Sequence, residues 1–189
     1  MPMSGKSDFV VVLDLDKTLV DSDGFKTSHH DRRYVLDMDD QVIKGSTRPN
    51  LKQFLRYLDA YSQEVIPWTA GLKDYAYRVI DVAYEGMDDI RPKRIWHRDQ
   101  CQFNEAENYY HKPIRQVAEE LGYDPKAILI IDDRTCTFVE NPHNGLLIPP
   151  YEGSNEDDAL GRIVDWMEDP KTRYSYTVTQ LDKDRVFSH

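Results

Sequence analysis

The 189-residue sequence predicts an α/β fold, a doubly wound parallel sheet carrying short insertions, among them a β-hairpin. Three observations predict it. Phe9–Leu13 and Ala127–Ile131 are unbroken apolar runs of strand length, the pattern of central strands covered on both faces. Stretches with helical apolar spacing alternate with the strand-like runs. Both runs end in carboxylates, Asp14 with Asp16 and Asp132 with Asp133. Open α/β sheets bind ligands outside the carboxyl ends of their strands.

Residues 9–13 read as the first strand and the polar stretch 21–33 as a loop. Tyr34–Met38 and Gln41–Lys44, joined by Asp39-Asp40, predict a β-hairpin. Arg48-Pro49-Asn50 opens a helix in which Leu51, Phe54, Leu55 and Leu58 share a face. Glu64–Trp68 reads as a second parallel strand, and Pro67, lacking an N–H, ends its ladder. Leu72–Tyr84 reads as a helix with Tyr75, Val79, Val82 and Ala83 inward. Within the irregular stretch Ile90–Phe103 a strand is predicted around Arg94–Trp96. Pro113 suits the first turn of a helix running to Leu121, and Gly122 suits its stop. Ala127–Ile131 is a further buried strand, Gly145–Ile148 a short last one, and Asp157–Met167 the final helix. The polar tail from Lys171 receives no element. The expected organisation is a flexible N-terminus over 1–7, one domain over 8–170 and a tail over 171–189.

Composition excludes several function classes. A chain of 189 residues, 40% of them hydrophobic, can bury a core and is too apolar for disorder. Its apolar runs fall far short of the roughly 20 residues that span a bilayer. Met1–Lys6 lacks the apolar core of a signal peptide. The expectation is a soluble intracellular protein, nuclear or cytoplasmic, with no membrane partner. Cys101 and Cys136 make no disulfide framework, neither begins a Cys-x5-Arg loop, and with the histidines they show no zinc spacing. The net charge of −10 argues against direct binding along a nucleic-acid backbone, but leaves room for a local basic pocket. Ser4-Gly-Lys-Ser7 imitates the end of a P-loop, yet it precedes the strand and lacks the upstream glycine.

Chemistry concentrates at Asp14-Leu-Asp-Lys-Thr18. Two carboxylates held this close repel, and a hard cation is the usual remedy. A carboxylate, though a weak nucleophile, can accept a phosphoryl group. The strand-Asp-x-Asp-x-Thr pattern resembles the first motif of the haloacid dehalogenase (HAD) superfamily. Three later features stand in the order that superfamily uses: Thr69 after a strand, Lys112 at a helix start, and Asp132-Asp133 after an apolar strand. Trp68-Thr-Ala-Gly-Leu-Lys-Asp-Tyr75, His97-Arg-Asp-Gln-Cys101 and Ile130-Ile-Asp-Asp133 followed by Asn141-Pro-His-Asn144 narrow the resemblance. They look like the FCP/SCP group, phosphatases of the RNA polymerase II C-terminal domain and their relatives, over about residues 8–168.

That resemblance implies an HAD-like fold without a large cap domain and a Mg²⁺-dependent protein serine/threonine phosphatase. It implies Asp14 as the nucleophile that forms an aspartyl-phosphate. It implies Asp16 as the acid that protonates the leaving alkoxide and then the base that deprotonates water. The implied metal residues are Asp14, Asp16 through its backbone carbonyl, Asp132 and, through a water, Asp133. Thr69 and Lys112 are implied phosphate binders. Leu72, Tyr75 and Arg98 are implied substrate binders, the first two beside a proline near the phosphoserine. The implied partner is a phosphoprotein, with the RNA polymerase II C-terminal domain one candidate.

Plainer readings stand beside these. Thr69 can cap a helix, Lys112 can be a surface lysine, and Asp132-Asp133 can be a turn. Leu72 and Tyr75 can be ordinary core, and Arg98 can be solvated. The sequence departs from the family at Arg134, where a small residue is expected. It departs again at Asp21-Ser-Asp-Gly24, which lacks the aromatic found near the proline pocket, although Phe25 follows. Alternative functions are an HAD phosphatase acting on a nucleotide, a nucleic-acid end or a small phosphate ester, and a non-catalytic phospho-binding or scaffold relative. Short insertions leave an open site that admits a phosphoprotein loop more readily than it encloses a metabolite. Intact Asp14, Asp16, Lys112 and Asp132 argue against the non-catalytic reading.

Overall fold

The computed structural model describes residues 5–188, so residues 1–4 of the expected flexible N-terminus lie outside the described residues. From the N-terminus come β1 (Val10–Leu13), β2 (Val20–Asp21), β3 (Arg33–Asp37), β4 (Val42–Thr47), α1 (Leu51–Tyr61), β5 (Glu64–Pro67) and α2 (Lys73–Ala83). Then follow β6 (Gln102–Asn104), β7 (Tyr109–His111), α3 (Ile114–Leu121), β8 (Ile128–Asp132), β9 (Gly145–Leu147), α4 (Ala159–Glu168) and α5 (Pro170–Arg173).

Among the described residues the central sheet has four strands in the order β5-β1-β8-β9, all parallel. Successive side chains of a strand point to opposite faces, and here each face meets a separate core. Val11, Leu13, Leu129 and Ile131 pack with Leu51, Phe54, Leu55 and Leu58 of α1, Val79 and Ile80 of α2, and Ile163 of α4. Val10, Val12, Ile66, Ile128 and Ile130 pack on the other side with Ile114 and Val117 of α3. The two-sided cover explains why β1 and β8 read as continuous apolar runs. The fold is the doubly wound α/β sheet that the sequence predicts.

The predicted hairpin forms as β3 and β4, and β2 joins it in a three-stranded antiparallel sheet. Two residues are too few for β2 to show a period in sequence. β5 ends at Pro67 as expected. The strand predicted around Arg94–Trp96 shrinks to a single bridge between Trp68 and Trp96. Trp96 N–H donates to the Pro67 carbonyl at 2.8 Å, and Thr69 N–H donates to the Trp96 carbonyl at 3.1 Å. Continuing that ladder upstream needs an N–H at position 67, which proline lacks.

Along α2 the buried stripe is Ala76, Val79, Ile80 and Ala83. Tyr75 and Val82, predicted inward, lie half-buried at its margins. α3 starts directly after Pro113 and stops at Gly122, whose φ of +75° is easy only without a Cβ. The β6–β7 hairpin escapes sequence reading because its strands are short and largely polar. The stretch beyond residue 170, unplaced from sequence, packs down: Val178 and Val186 are buried, and the Trp166 indole N–H donates to the Asp182 carbonyl at 3.1 Å. Cys101 and Cys136 are both free. Among the described residues no helix is long and apolar enough to cross a membrane.

Arg48 ties the loop after β1 to the connection before α4. Its buried guanidinium grips Asp157 through two bonds of 2.7 and 2.8 Å. It also donates to the Thr18 carbonyl at 3.1 Å and the Pro149 carbonyl at 2.7 Å. Breaking a buried pair strands the remaining charge, so Arg48→Ala should cost about 3–5 kcal/mol of stability. Urea unfolding of the two proteins measures it. A loss below about 1 kcal/mol, the range of exposed pairs, would mean that water replaces the guanidinium.

Candidate active site

β1 and β8 are bonded neighbours running the same way, with Leu13 opposite Ile131. The residues that follow therefore emerge side by side, and Asp14 N–H donates to the Ile131 carbonyl at 3.0 Å. Lys112 enters from the end of β7, where its N–H is fixed on the Thr137 carbonyl at 2.7 Å. Its ammonium, with the side chain only 1% exposed, stands 2.6 Å from Asp14 Oδ1 and 2.7 Å from Asp132 Oδ2. The other oxygens are also held. Thr18 Oγ1 donates to Asp14 Oδ2 at 3.0 Å, and Arg134 N–H donates to Asp132 Oδ1 at 3.0 Å.

Asp16 leaves the turn in which the Leu15 carbonyl accepts from the N–H groups of Thr18, Leu19 and Val20. Lys17 takes the left-handed conformation there, at φ +61°. Thr69, just past β5, donates its hydroxyl to Asp16 Oδ2 at 3.1 Å and accepts from Gly71 N–H at 2.9 Å. The Tyr75 hydroxyl donates to Asp16 Oδ1.

Asp14, Asp16, Thr69, Lys112, Asp132 and Asp133 thus line one cleft of about 290 Å³. Asn108 of the β6–β7 turn and Tyr109 and Tyr110 of β7, a hairpin that sequence reasoning missed, also line it. Leu72, Tyr75 and Arg98 lie apart from that cleft, in an adjoining groove of about 900 Å³ against Met38 and Ile43 of the first hairpin. Leu72 is 61% exposed and so is no core residue. Arg98 Nε donates to the Ala70 carbonyl at 2.8 Å, and its guanidinium lies 5.1 Å from the centre of the Tyr110 ring. Phe25 does not line the groove; Arg33 and Lys44 lie over its ring at 5.2 and 5.7 Å. Thr69 does not cap α2, whose cap residue is Leu72, and Lys112 is buried rather than on the surface. Thr18, the last residue of the Asp-x-Asp-x-Thr pattern, also connects to the site, as do Ser22 and Tyr34, whose places in a polar loop and a hairpin strand give no functional signal in sequence.

The electrostatics have one direction. Burial raises the Asp14 pKa well above its ordinary value, Asp132 adds to the rise, and Lys112 opposes it. Burial also raises Asp16, against the Tyr75 and Thr69 hydrogen bonds. Asp133 is pushed up to about 6 by burial and by neighbouring Asp132. Burial works against the Lys112 charge, but Asp132 and Asp14 outweigh it and the ammonium is held above its ordinary value. Every one of these displacements means that the cleft takes up positive charge. Asp14, Asp132 and Asp133 each bring a carboxylate oxygen within 4.8 Å of the others. An all-oxygen donor set with excess negative charge suits a hard divalent ion such as Mg²⁺.

A family model described as NLI interacting factor-like phosphatase matches residues 9–178. The chain is 26% identical to "Phosphatase PSR1" of Saccharomyces cerevisiae over 180 residues, 94% of this chain and 40% of that protein. It is 27% identical to "Carboxy-terminal domain RNA polymerase II polypeptide A small phosphatase 1" of Homo sapiens over 160 residues, 84% of this chain and 58% of that protein. The chain thus spans about half the length of the curated relatives it matches. Its fold is similar to that of fission yeast RNA polymerase II CTD phosphatase Fcp1, with a TM-score of 0.57 and 20% identity over 84% of this chain and 49% of that one.

The raised carboxyl at position 133 sets a pH dependence. With Asp133 near 6 in the folded protein against an ordinary 3.8, the folded state holds the extra proton between those values. The contribution of Asp133 to stability is therefore fullest below about pH 4 and is lost as pH rises through about 6. Melting temperatures in chelator should show wild type losing ground to Asp133→Asn across that window. A wild type that gains on the variant as pH rises would contradict the assignment.

Proposed function

Because the chain belongs to the NLI interacting factor-like phosphatase family, we propose that it hydrolyses phosphomonoesters through Asp14 with Mg²⁺, and that it acts on phosphoserine or phosphothreonine in a protein. One observation carries the reading: Lys112 bridges Asp14 and Asp132 at the floor of an open cleft that Asp16 faces. A scaffold with no chemistry to perform has no use for a buried cation among so many carboxylates, a costly arrangement.

Asp14, Asp132 and the backbone carbonyl of Asp16 would hold the ion, with Asp133 as its outer partner through water. The ion would supply positive charge against the phosphoryl oxygens. Lys112 and the Thr69 hydroxyl face the same oxygens, and Lys112 also fixes the rotamer of the nucleophile. An oxygen of Asp14 bonds to phosphorus as the bond from phosphorus to the serine or threonine oxygen breaks. Asp16 gives its proton to that departing oxygen. Asp16 then takes a proton from water, which attacks phosphorus and releases phosphate and free Asp14.

The substrate reading rests on the open cleft and the groove beside it. Leu72 and Tyr75 line that groove and would meet residues flanking the phosphorylated side chain, with Arg98 at its edge. The human relative's name contains the RNA polymerase II C-terminal domain, which makes that repeat one candidate phosphoprotein.

Wild-type protein with Mg²⁺ should release phosphate from a phosphoserine peptide, and chelator should abolish the release. Asp14→Asn should be inert, whereas equal inertness of wild type and variant would move the protein to the binding-module class. Asp16→Asn should lose about 10²–10⁴ in turnover while still binding Mg²⁺ by calorimetry. Unchanged turnover would remove Asp16 from its role. A peptide panel with and without proline after the phosphoserine, run beside mononucleotides, separates the phosphoprotein reading from a small-ester one.

A further inference from the structure

Behind Asp16 runs a line of hydroxyl groups that the phosphatase chemistry above leaves unused. Tyr75 OH contacts Asp16 Oδ1, Ser22 Oγ lies 2.6 Å from Tyr75 OH, and Tyr34 OH lies 2.7 Å from Ser22 Oγ. Ser22 follows β2, Tyr34 lies in β3 and Tyr75 lies in α2, so three separate elements converge on one carboxylate oxygen. Neither Ser22 nor Tyr34 lines the cleft or the adjoining groove.

The direction of the line follows from proton counting. A carboxyl oxygen that carries no proton only accepts, as Oδ1 does here, and each hydroxyl has one proton to give. Tyr75 therefore spends its proton on Asp16, Ser22 must donate to Tyr75, and Tyr34 must donate to Ser22. Hydrogen bonds in such a chain polarise one another.

Two glycines make room for the two rings. A Cβ at Gly45, opposite Tyr34 across the β3–β4 ladder, would come 2.5 Å from the Tyr34 hydroxyl oxygen. A Cβ at Gly71 would come 2.8 Å from the Tyr75 ring.

The two oxygens of Asp16 are consequently unequal. Oδ1 faces this backward line, whereas Oδ2 accepts from the Thr69 hydroxyl, which faces the cleft. Once a phosphoryl group draws the Thr69 hydroxyl to itself, Oδ2 is left facing the reacting atoms and Oδ1 stays held. Resting on the phosphatase reading, we infer that Ser22 and Tyr34 are positioning residues that act through Tyr75 to anchor Asp16 Oδ1, so that Oδ2 carries the proton to the leaving oxygen.

Leaving-group dependence tests this. Serine departs as an alkoxide that needs a proton, whereas p-nitrophenolate departs without one. The ratio kcat/KM covers steps up to departure, so the later work of Asp16 on water does not enter it. With Mg²⁺, Ser22→Ala, which touches neither the cleft nor the groove, should lower kcat/KM on a phosphoserine peptide about tenfold and on p-nitrophenyl phosphate less than about threefold. Tyr34→Phe, one bond further away, should show the same selectivity in smaller measure. Asp16→Asn should show the strongest selectivity. Equal losses on both substrates, or no loss, with a selective Asp16→Asn would overturn the positioning role and leave the phosphatase reading standing. A wild type inert on both substrates would overturn that reading and this inference together.

Discussion

The ammonium of Lys112 is the point on which the site depends. It is almost wholly removed from water and stands within hydrogen-bonding distance of two carboxylates that terminate adjacent strands. One such charge does not balance Asp14, Asp16, Asp132 and Asp133. Burial first, joined at Asp14 and Asp133 by the neighbouring Asp132 charge, makes Asp14, Asp16 and Asp133 hold their protons more tightly than usual. The shortfall is relieved by whatever brings more positive charge, which is why the same cluster that repels itself when empty of cations is suited to a hard divalent ion. The sheet maintains this stressed arrangement because β1 and β8 are buried on both faces and cannot separate without opening both cores.

Most of that frame was legible from the residues. The apolar runs ending at Asp14 and Asp132 report burial on two faces, a property of composition rather than of distant contacts. Gly122 acts through local backbone chemistry and stops its helix where expected, and β5 ends at Pro67, although Trp68 N–H still donates to the Leu13 carbonyl. The cluster of Asp14, Lys112 and Asp132 could be named because motif order and strand ends coincide.

What stayed hidden depends on contacts with no local signature. β2 is two residues long, and the β6–β7 hairpin has no apolar alternation, yet it lines the cleft. The family resemblance put Tyr75 on the substrate side, but its bond to Asp16 requires knowing how α2 rotates. Arg94–Trp96 misled in the other direction: its strand-like residues meet a proline whose missing N–H stops the ladder, a pairing that only three dimensions reveal.

Lys112 and Asp14 are 98 positions apart in the chain, whereas Lys112 and Asp132 are 20 apart. The cluster is therefore assembled late in biosynthesis. Until synthesis has passed Asp132, Asp14 and Asp16 do not have both the lysine and the aspartate of the neighbouring strand. A polypeptide ending before β8 lacks the cluster altogether, because Asp14 and Asp132 come together only when the two central strands of the sheet pair.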